Sequence, residues 1–161
     1  MIRLAQYADL ATIIAIYNHS IPAQKATADT EAIDWHHRVG WFQEHNPDTY
    51  PLWVMERRGE VVGWLGLGPF YGRPAYRATA ELSIYIASAW QGQGLGKSLL
   101  QTAIAASPSL GLKTLLGFIF AHNQPSLSLF KSLGFQQWGA LPGVAQLGTQ
   151  ERDLLILGKR I

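Results

Sequence analysis

The chain has 161 residues, 48% of them hydrophobic and 15% charged, which suits one globular core and excludes a disordered chain. Thirteen Lys and Arg stand against eleven Asp and Glu, a formal charge of +2, and no basic run or basic–aromatic alternation points to nucleic acid. The cysteine count of zero excludes disulfides, thiolate metal sites and a cysteine nucleophile together.

Met1-Ile-Arg-Leu-Ala-Gln6 has no long apolar segment of the signal-peptide kind, and no stretch approaches the ~18 apolar residues of a membrane span. With the lack of cysteine, this leads to the expectation of a cytoplasmic protein without a membrane partner. A short strand is expected near Ile2–Leu4. Asp9 reads as the N-cap of a helix that carries Leu10, Ile13, Ile14 and Tyr17 on one face. Residues 18–30 are polar and contain Pro22, and they read as a loop. Asp34 is placed to cap a second helix with Trp35, Val39, Trp41 and Phe42, which Asn46-Pro47 ends.

Leu52–Glu56 and Val61–Leu67 read as strands joined by a tight turn at Arg57-Arg-Gly-Glu60. A third strand is expected at Thr79–Ile86, after a loop, Pro69–Arg77, rich in Pro, aromatics and Arg. The glycine-rich Gln91–Gly96 opens a helix with Leu99, Leu100, Ala103 and Ile104 on one side. Thr114–Phe120 reads as a buried strand. Pro125 suits the first turn of a last helix, which Gly134 ends. Two short strands follow, near Phe135–Trp138 and Asp153–Leu157. This order predicts a single α/β domain over residues 1–161, a mixed sheet with helices on its faces. The six Trp, six Tyr and six Phe exceed what this length needs, and some are expected to line a pocket or a subunit interface.

Glycines before a helix N-terminus leave unpaired N–H groups at a positive dipole end, which suits phosphate. Gly96-Lys97-Ser98 ends like a P-loop, but Gln91 stands where that motif needs glycine. The dinucleotide fingerprint fails at Lys97, where its third glycine belongs, and the turn lies past the middle of the chain. The pattern Q/R-x-x-G-x-G/A directly after a strand fits Gln91-Gly-Gln-Gly-Leu-Gly96 at every position. Five His are scattered, His36 and His37 adjacent on one helix and His19, His45 and His122 alone, so no metal is expected.

The Gln91–Gly96 signature resembles the acetyl-CoA motif of the GCN5-related N-acetyltransferase (GNAT) family. Glu81-Leu-Ser-Ile-Tyr-Ile86 resembles the family strand that splays from its neighbour, and Asn123-Gln-Pro-Ser126 with Leu129–Phe135 resembles its final helix. Ile16-Tyr-Asn-His-Ser20, Thr27-Ala-Asp-Thr30, Gly63-Trp64, Pro69-Phe70 and Arg73–Arg77 resemble the phosphinothricin and methionine sulfoximine acetyltransferase branch. The likeness weakens in Gly143–Gln150, which lacks the branch's His and Trp.

The resemblance implies a mostly antiparallel sheet with a splayed central strand pair, and transfer of an acetyl group from acetyl-CoA to a small amino-acid-like amine. It implies Glu81 as general base, a carboxylate interrupting an apolar strand. Pyrophosphate contacts fall to Gln91, Gly92, Gln93, Gly94, Leu95, Gly96 and Lys97. Ile84, Tyr85 and Ile86 belong to the strand expected along the pantetheine arm, with Asn123 and Ser132 on the last helix beside it. The Tyr that many members carry as general acid is Phe130 here, and Tyr85 is its substitute candidate. Arg73 and Arg77 are expected to meet an acceptor carboxylate, and Phe70 and Tyr76 to wall the pocket. A homodimer is implied. Acceptors of other kinds, a protein N-terminus, a lysine or a polyamine, and a CoA-binding protein without chemistry are the alternatives; the Arg-rich loop disfavours a polyamine.

Overall fold

The computed structural model describes all residues from Met1 to Ile161. In chain order the elements are β1 (Ile2–Leu4), α1 (Leu10–Ser20), α2 (Trp35–Glu44), β2 (Leu52–Arg57), β3 (Glu60–Pro69), β4 (Thr79–Ile86), α3 (Leu95–Ala106), β5 (Thr114–Phe120), α4 (Gln124–Ser132), β6 (Gln136–Leu147) and β7 (Gln150–Arg160). The strands form one sheet in the order β1-β2-β3-β4-β5-β7-β6. Every neighbouring pair is antiparallel except β4 and β5, which run parallel.

Strand alternation sorts the core onto two faces. Trp53, Met55, Leu65, Leu67 and Leu82 join Leu95, Leu99 and Leu100 of α3 and Phe130 of α4 on one side. Leu52, Val54 and Trp64 join Ile13, Ile16 and Tyr17 of α1 on the other, with Trp41 of α2 packed against them. Helices therefore cover both faces. Side chains such as Leu99 and Leu100, fully buried, each contribute about 1.5–3 kcal/mol of transfer free energy.

Local signals set most boundaries. Asp34 caps α2, its Oδ1 accepting the His37 amide at 3.0 Å. Arg58 and Gly59 both have positive φ, 53° and 80°, as the two central residues of a tight hairpin turn require. The end of α4 is a Schellman motif: the Phe135 amide donates to the Phe130 carbonyl and the Gly134 amide to that of Lys131. Phe130 and Phe135 complete it with an edge-on ring contact at 4.9 Å.

Three expectations are corrected. Asp9 does not cap α1 through its side chain. A short 3-10 turn, Tyr7–Asp9, precedes the helix, and the Asp9 carboxylate accepts the Gln6 amide and both terminal nitrogens of Arg3. The segment expected as a loop from Asn18 begins as helix, because α1 runs to Ser20 and a 3-10 turn continues to Ala23. The two short C-terminal strands are one long hairpin of 12 and 11 residues. Its exposed residues hide the alternation expected of a half-buried strand, and Pro142 and Gly143 fall where the register shifts.

Candidate active site

The parallel pairing of β4 with β5 covers only Thr79 to Glu81, opposite Thr114 to Leu116. Beyond Glu81 the two strands part, β4 staying with β3 and β5 with β7. Directly after β4, the Ala87 amide donates to the Val62 carbonyl of β3 at 2.8 Å. Backbone groups alternate in direction along a strand. Those of Glu81, Ser83 and Tyr85 therefore face β3, and those of Leu82, Ile84 and Ile86 face the gap. The main chain of Tyr85 is thus used by β3, while the residue itself still borders the cleft. Its side chain instead crosses the opposite face, with its hydroxyl on the Ala26 carbonyl at 3.1 Å.

The gap leads to the start of α3. Gly92 and Gly94 have φ of 74° and 77°, a region that costs an ordinary L-residue roughly 1–2 kcal/mol. This turn leaves the amides of Gly92 through Lys97 without any acceptor in the chain; the first helical bond there is Ser98 to the Gly94 carbonyl at 3.2 Å. A row of free N–H groups at a helix start is an anion site. Gln91 fastens the turn to the strand, its amide nitrogen donating to the Ile86 carbonyl at 3.1 Å. That leaves Ile86 its amide. Lys97 is exposed on the first turn of α3. Gly96 lets α4 come close, since a Cβ there would lie 3.1 Å from Leu129 Cδ2.

The cleft between the parted strands is lined by Leu82, Ile84, Gly117, Ile119, Asn123 and Phe130, among others. Phe130 is buried, its ring so close to Gly117 that a Cβ there would stand 2.5 Å from it. Asn123 faces the cleft with its amide engaged: Oδ1 accepts the Ser126 amide and Nδ2 donates to the Lys25 carbonyl at 3.2 Å. Ser132 is exposed and its hydroxyl turns back to the Leu129 carbonyl at 2.7 Å; Ser126 is the α4 serine in the cleft.

On the α1–α2 face lies a cavity of about 510 Å³. Its lining gathers Tyr17, Asp29, Arg38, Trp41, Trp64, Tyr85, Phe118 and Val144 from distant parts of the chain. Tyr17 donates its hydroxyl to Asp29 and lies 2.5 Å from the Thr27 hydroxyl. Burial, then the Asp29 carboxylate, push its pKa up to about 12, and burial also raises that of Tyr85. A smaller neighbouring cavity is lined by Trp41, Glu44, His45, Gly66 and Pro69. Burial lowers the His45 pKa, and its Nδ1 lies 2.9 Å from the Trp41 carbonyl.

Glu81 and Ser83 line the cleft and both cavities. Burial is the one cause that raises the Glu81 pKa above its ordinary 4.5, because ionisation in a half-dry cleft loses hydration. Ser83, Arg38, Asp29 and Trp41 were missed as site residues by the sequence reading. Ser83 had a signal, its place two residues from Glu81 on the same strand face, and Asp29 had one in the Thr27-Ala-Asp-Thr30 motif; Arg38 and Trp41 had none.

The expected acceptor residues fare differently. Arg73, Tyr76 and Arg77 are exposed on the turn before β4 and outside these linings. Arg73 and Arg77 flank a 3-10 turn, Pro74–Tyr76, none of whose residues is buried. Phe70 is half-buried and reaches the cavity wall through its ring contact with Phe118 at 6.5 Å. No group of three or more His, Asp or Glu is arranged to hold a metal.

A sheet opened at one parallel pair, beside a helix start with free amides, is the framework of an acyl-CoA-dependent acyltransferase, as the motifs implied. The chain belongs to the acetyltransferase (GNAT) family, whose profile matches residues 11–135. It is 46% identical over 161 residues to YwnH of Bacillus subtilis, a protein named for phosphinothricin acetylation, covering 99% of this chain and 98% of YwnH. An L-methionine sulfoximine/L-methionine sulfone acetyltransferase of Salmonella typhimurium is 34% identical over 143 residues, 89% of this chain and 84% of that one. The structure of a phosphinothricin acetyltransferase from Sinorhizobium meliloti in complex with AcCoA superposes with a TM-score of 0.94 at 27% identity, covering 100% of this chain and 88% of that one.

Proposed function

We propose that residues 1–161 act as one catalytic domain that moves an acetyl group from acetyl-CoA to the amine of a small amino-acid-like acceptor of the phosphinothricin or methionine sulfoximine type. The observation that carries this reading is the position of Glu81, at the point where β4 and β5 part and on the lining of both the cleft and the large cavity. Thioester and amine can meet only at such a junction. Relatives named for these acceptors support the substrate class.

In this reading the free amides of residues 92–97 hold the pyrophosphate, with Lys97 as charge partner. The backbone of Ile84 and the amide of Ile86 pair with the pantetheine arm, and Asn123 and Ser126 border it. Glu81, directly or through one water, takes a proton from the acceptor ammonium. The freed nitrogen attacks the thioester carbonyl. A C–N bond forms, the nitrogen gives its second proton to water, the C–S bond breaks, and the electron pair leaves on sulfur. Phe130 has no proton to give, so coenzyme A departs as a thiolate, which a thiol pKa near ~8.5 permits. Arg73 and Arg77 stand on the turn entering β4, the Glu81 end of the strand, and are assigned to the acceptor's α-carboxylate there, with Phe70 and Tyr76 as outer walls. The protein is assigned to the cytoplasm as a homodimer; exposed Trp138, Leu141 and Val144 on the β6–β7 hairpin supply apolar surface for the contact. No helix is long and apolar enough to cross a membrane.

The test is release of free thiol from acetyl-CoA with a panel of amino acids, run beside the melting temperature with and without acetyl-CoA. Turnover on L-phosphinothricin or L-methionine sulfone is expected. Stabilisation by acetyl-CoA with no turnover on any amine would replace this reading with that of a CoA-binding protein.

A further inference from the structure

Arg38 is the cation of the large cavity, and the rest of the chain leaves it unpaired. It makes no hydrogen bond and no ion pair, whereas Arg3, the half-buried arginine of β1, holds both Asp9 and Glu56. Its guanidinium lies 4.4 Å from the Tyr17 ring centre and 4.3 Å from that of Trp41. Two aromatic faces fix the plane of the fork without consuming its N–H donors. Asp29, the nearby acid on the same lining, takes the Tyr17 hydroxyl and forms no ion pair with Arg38. A half-buried, immobilised and uncompensated guanidinium facing a cavity is a receptor for an oxyanion.

Its place along the sheet says which oxyanion. Trp64 pairs with Tyr85 in the β3–β4 register, and Gly68 pairs with Glu81. Tyr85 stands four residues from Glu81 on the same face, ~13 Å along the strand. The Tyr17 ring on which Arg38 stacks lies 5.0 Å from that of Tyr85, so Arg38 belongs to the Tyr85 end of the cavity. With the acceptor amine at Glu81, the end of the side chain lies nearer the Tyr85 end of the lining than does the α-carboxylate, one carbon from the amine. The end of a side chain of several bonds reaches Arg38. We infer that Arg38 binds the oxygens at the end of the acceptor's side chain, a phosphinate's or a sulfone's, and thereby selects α-amino acids that carry them. This rests on the amino-acid acetyltransferase reading above.

The experiment compares two acceptors of similar length, L-phosphinothricin with a terminal phosphinate and L-norleucine with a terminal methyl, on wild type, Arg38→Gln, Arg38→Lys and Arg73→Gln. Arg38→Gln is expected to raise KM for L-phosphinothricin about 10- to 100-fold with kcat little changed, and to leave L-norleucine kinetics unaltered. Arg38→Lys should recover part of the loss. An equal loss on both acceptors would mean that Arg38 serves the α-carboxylate or the fold, and would overturn the proposal. So would a change in preference produced by Arg73→Gln and not by Arg38→Gln. Melting temperature and acetyl-CoA binding separate misfolded variants from informative ones. Trp41 and Trp64 line the cavity, so tryptophan fluorescence of the protein saturated with coenzyme A reports acceptor binding without turnover. Binding of L-phosphinothricin lost in Arg38→Gln while that of L-norleucine is kept would uphold the assignment even in an inert wild type, a result that removes acetyl transfer alone; no binding to wild type, or equal loss of both ligands, would remove the assignment.

Discussion

In the proposed reaction Glu81 joins catalysis to stability at one position. Burial raises its pKa above 4.5, so the ionised form that must accept a proton is disfavoured in the folded chain. The acid limb of kcat/KM is therefore expected above pH 4.5, and Glu81→Gln should remove it together with roughly 10²–10⁴-fold of the rate. The same burial fixes the sign for folding. A carboxyl whose folded pKa exceeds its unfolded one costs stability above the folded pKa and nothing below the unfolded value. Glu81→Gln is thus expected to raise the melting temperature at neutral pH, a gain that disappears below pH 4.5. A variant less stable than wild type at pH 7 would show that Glu81 holds a structural partner instead.

The turn before α3 works through its main chain, so its test is conformational. Gly94 has φ of 77° with nothing near its absent Cβ. Gly94→Ala should meet backbone strain alone, roughly 1–2 kcal/mol. Relief of that strain by rotating the turn would misalign the amides, so acetyl-CoA binding by calorimetry should weaken along with the melting temperature. Unchanged affinity would move the pyrophosphate elsewhere. On β5 and α4 the constraint is space. Gly117→Ala must displace the Phe130 ring from the cleft wall, an overpacking expected to cost about 1–3 kcal/mol in denaturant unfolding. These elements were legible in the sequence because their signals are local: Asp34 before its helix, Gly134 after α4, and the Gly92–Gly94–Gly96 pattern after a strand. The β6–β7 hairpin was legible only at the start of β6 and the middle of β7, since its exposed residues carry no apolar alternation.

Across the whole molecule, Arg3 ties the first strand to the turn before α1 and to β2 through Asp9 and Glu56. The Arg3 guanidinium holds the Asp9 carboxyl below its ordinary 3.8. A depressed carboxyl contributes stability above its unfolded pKa and loses it as pH falls through the folded one. Arg3→Met is expected to cost roughly 1–2 kcal/mol at neutral pH, a deficit that shrinks below pH 3.8. Equal deficits at both pH values would assign the loss to packing. Association is tested at the same scale. Light scattering should give twice the 17.8 kDa chain mass, and Val144→Glu, at an exposed hairpin position, should shift it toward the monomer.

The sequence by itself determined the glycine turn before α3, to which the proposed reading assigns the pyrophosphate. A pyrophosphate is held by consecutive main-chain amides, so a contiguous motif with two left-handed glycines is enough to write the site. The tertiary structure alone decided the acceptor half. Tyr17, Asp29, Arg38, Glu81 and Val144 come from two helices, a connecting loop, a central strand and a C-terminal hairpin, and no spacing in the chain relates them. Arg38 lines the large cavity because it packs on the Tyr17 and Trp41 rings, a contact made across elements that no spacing in the chain reveals.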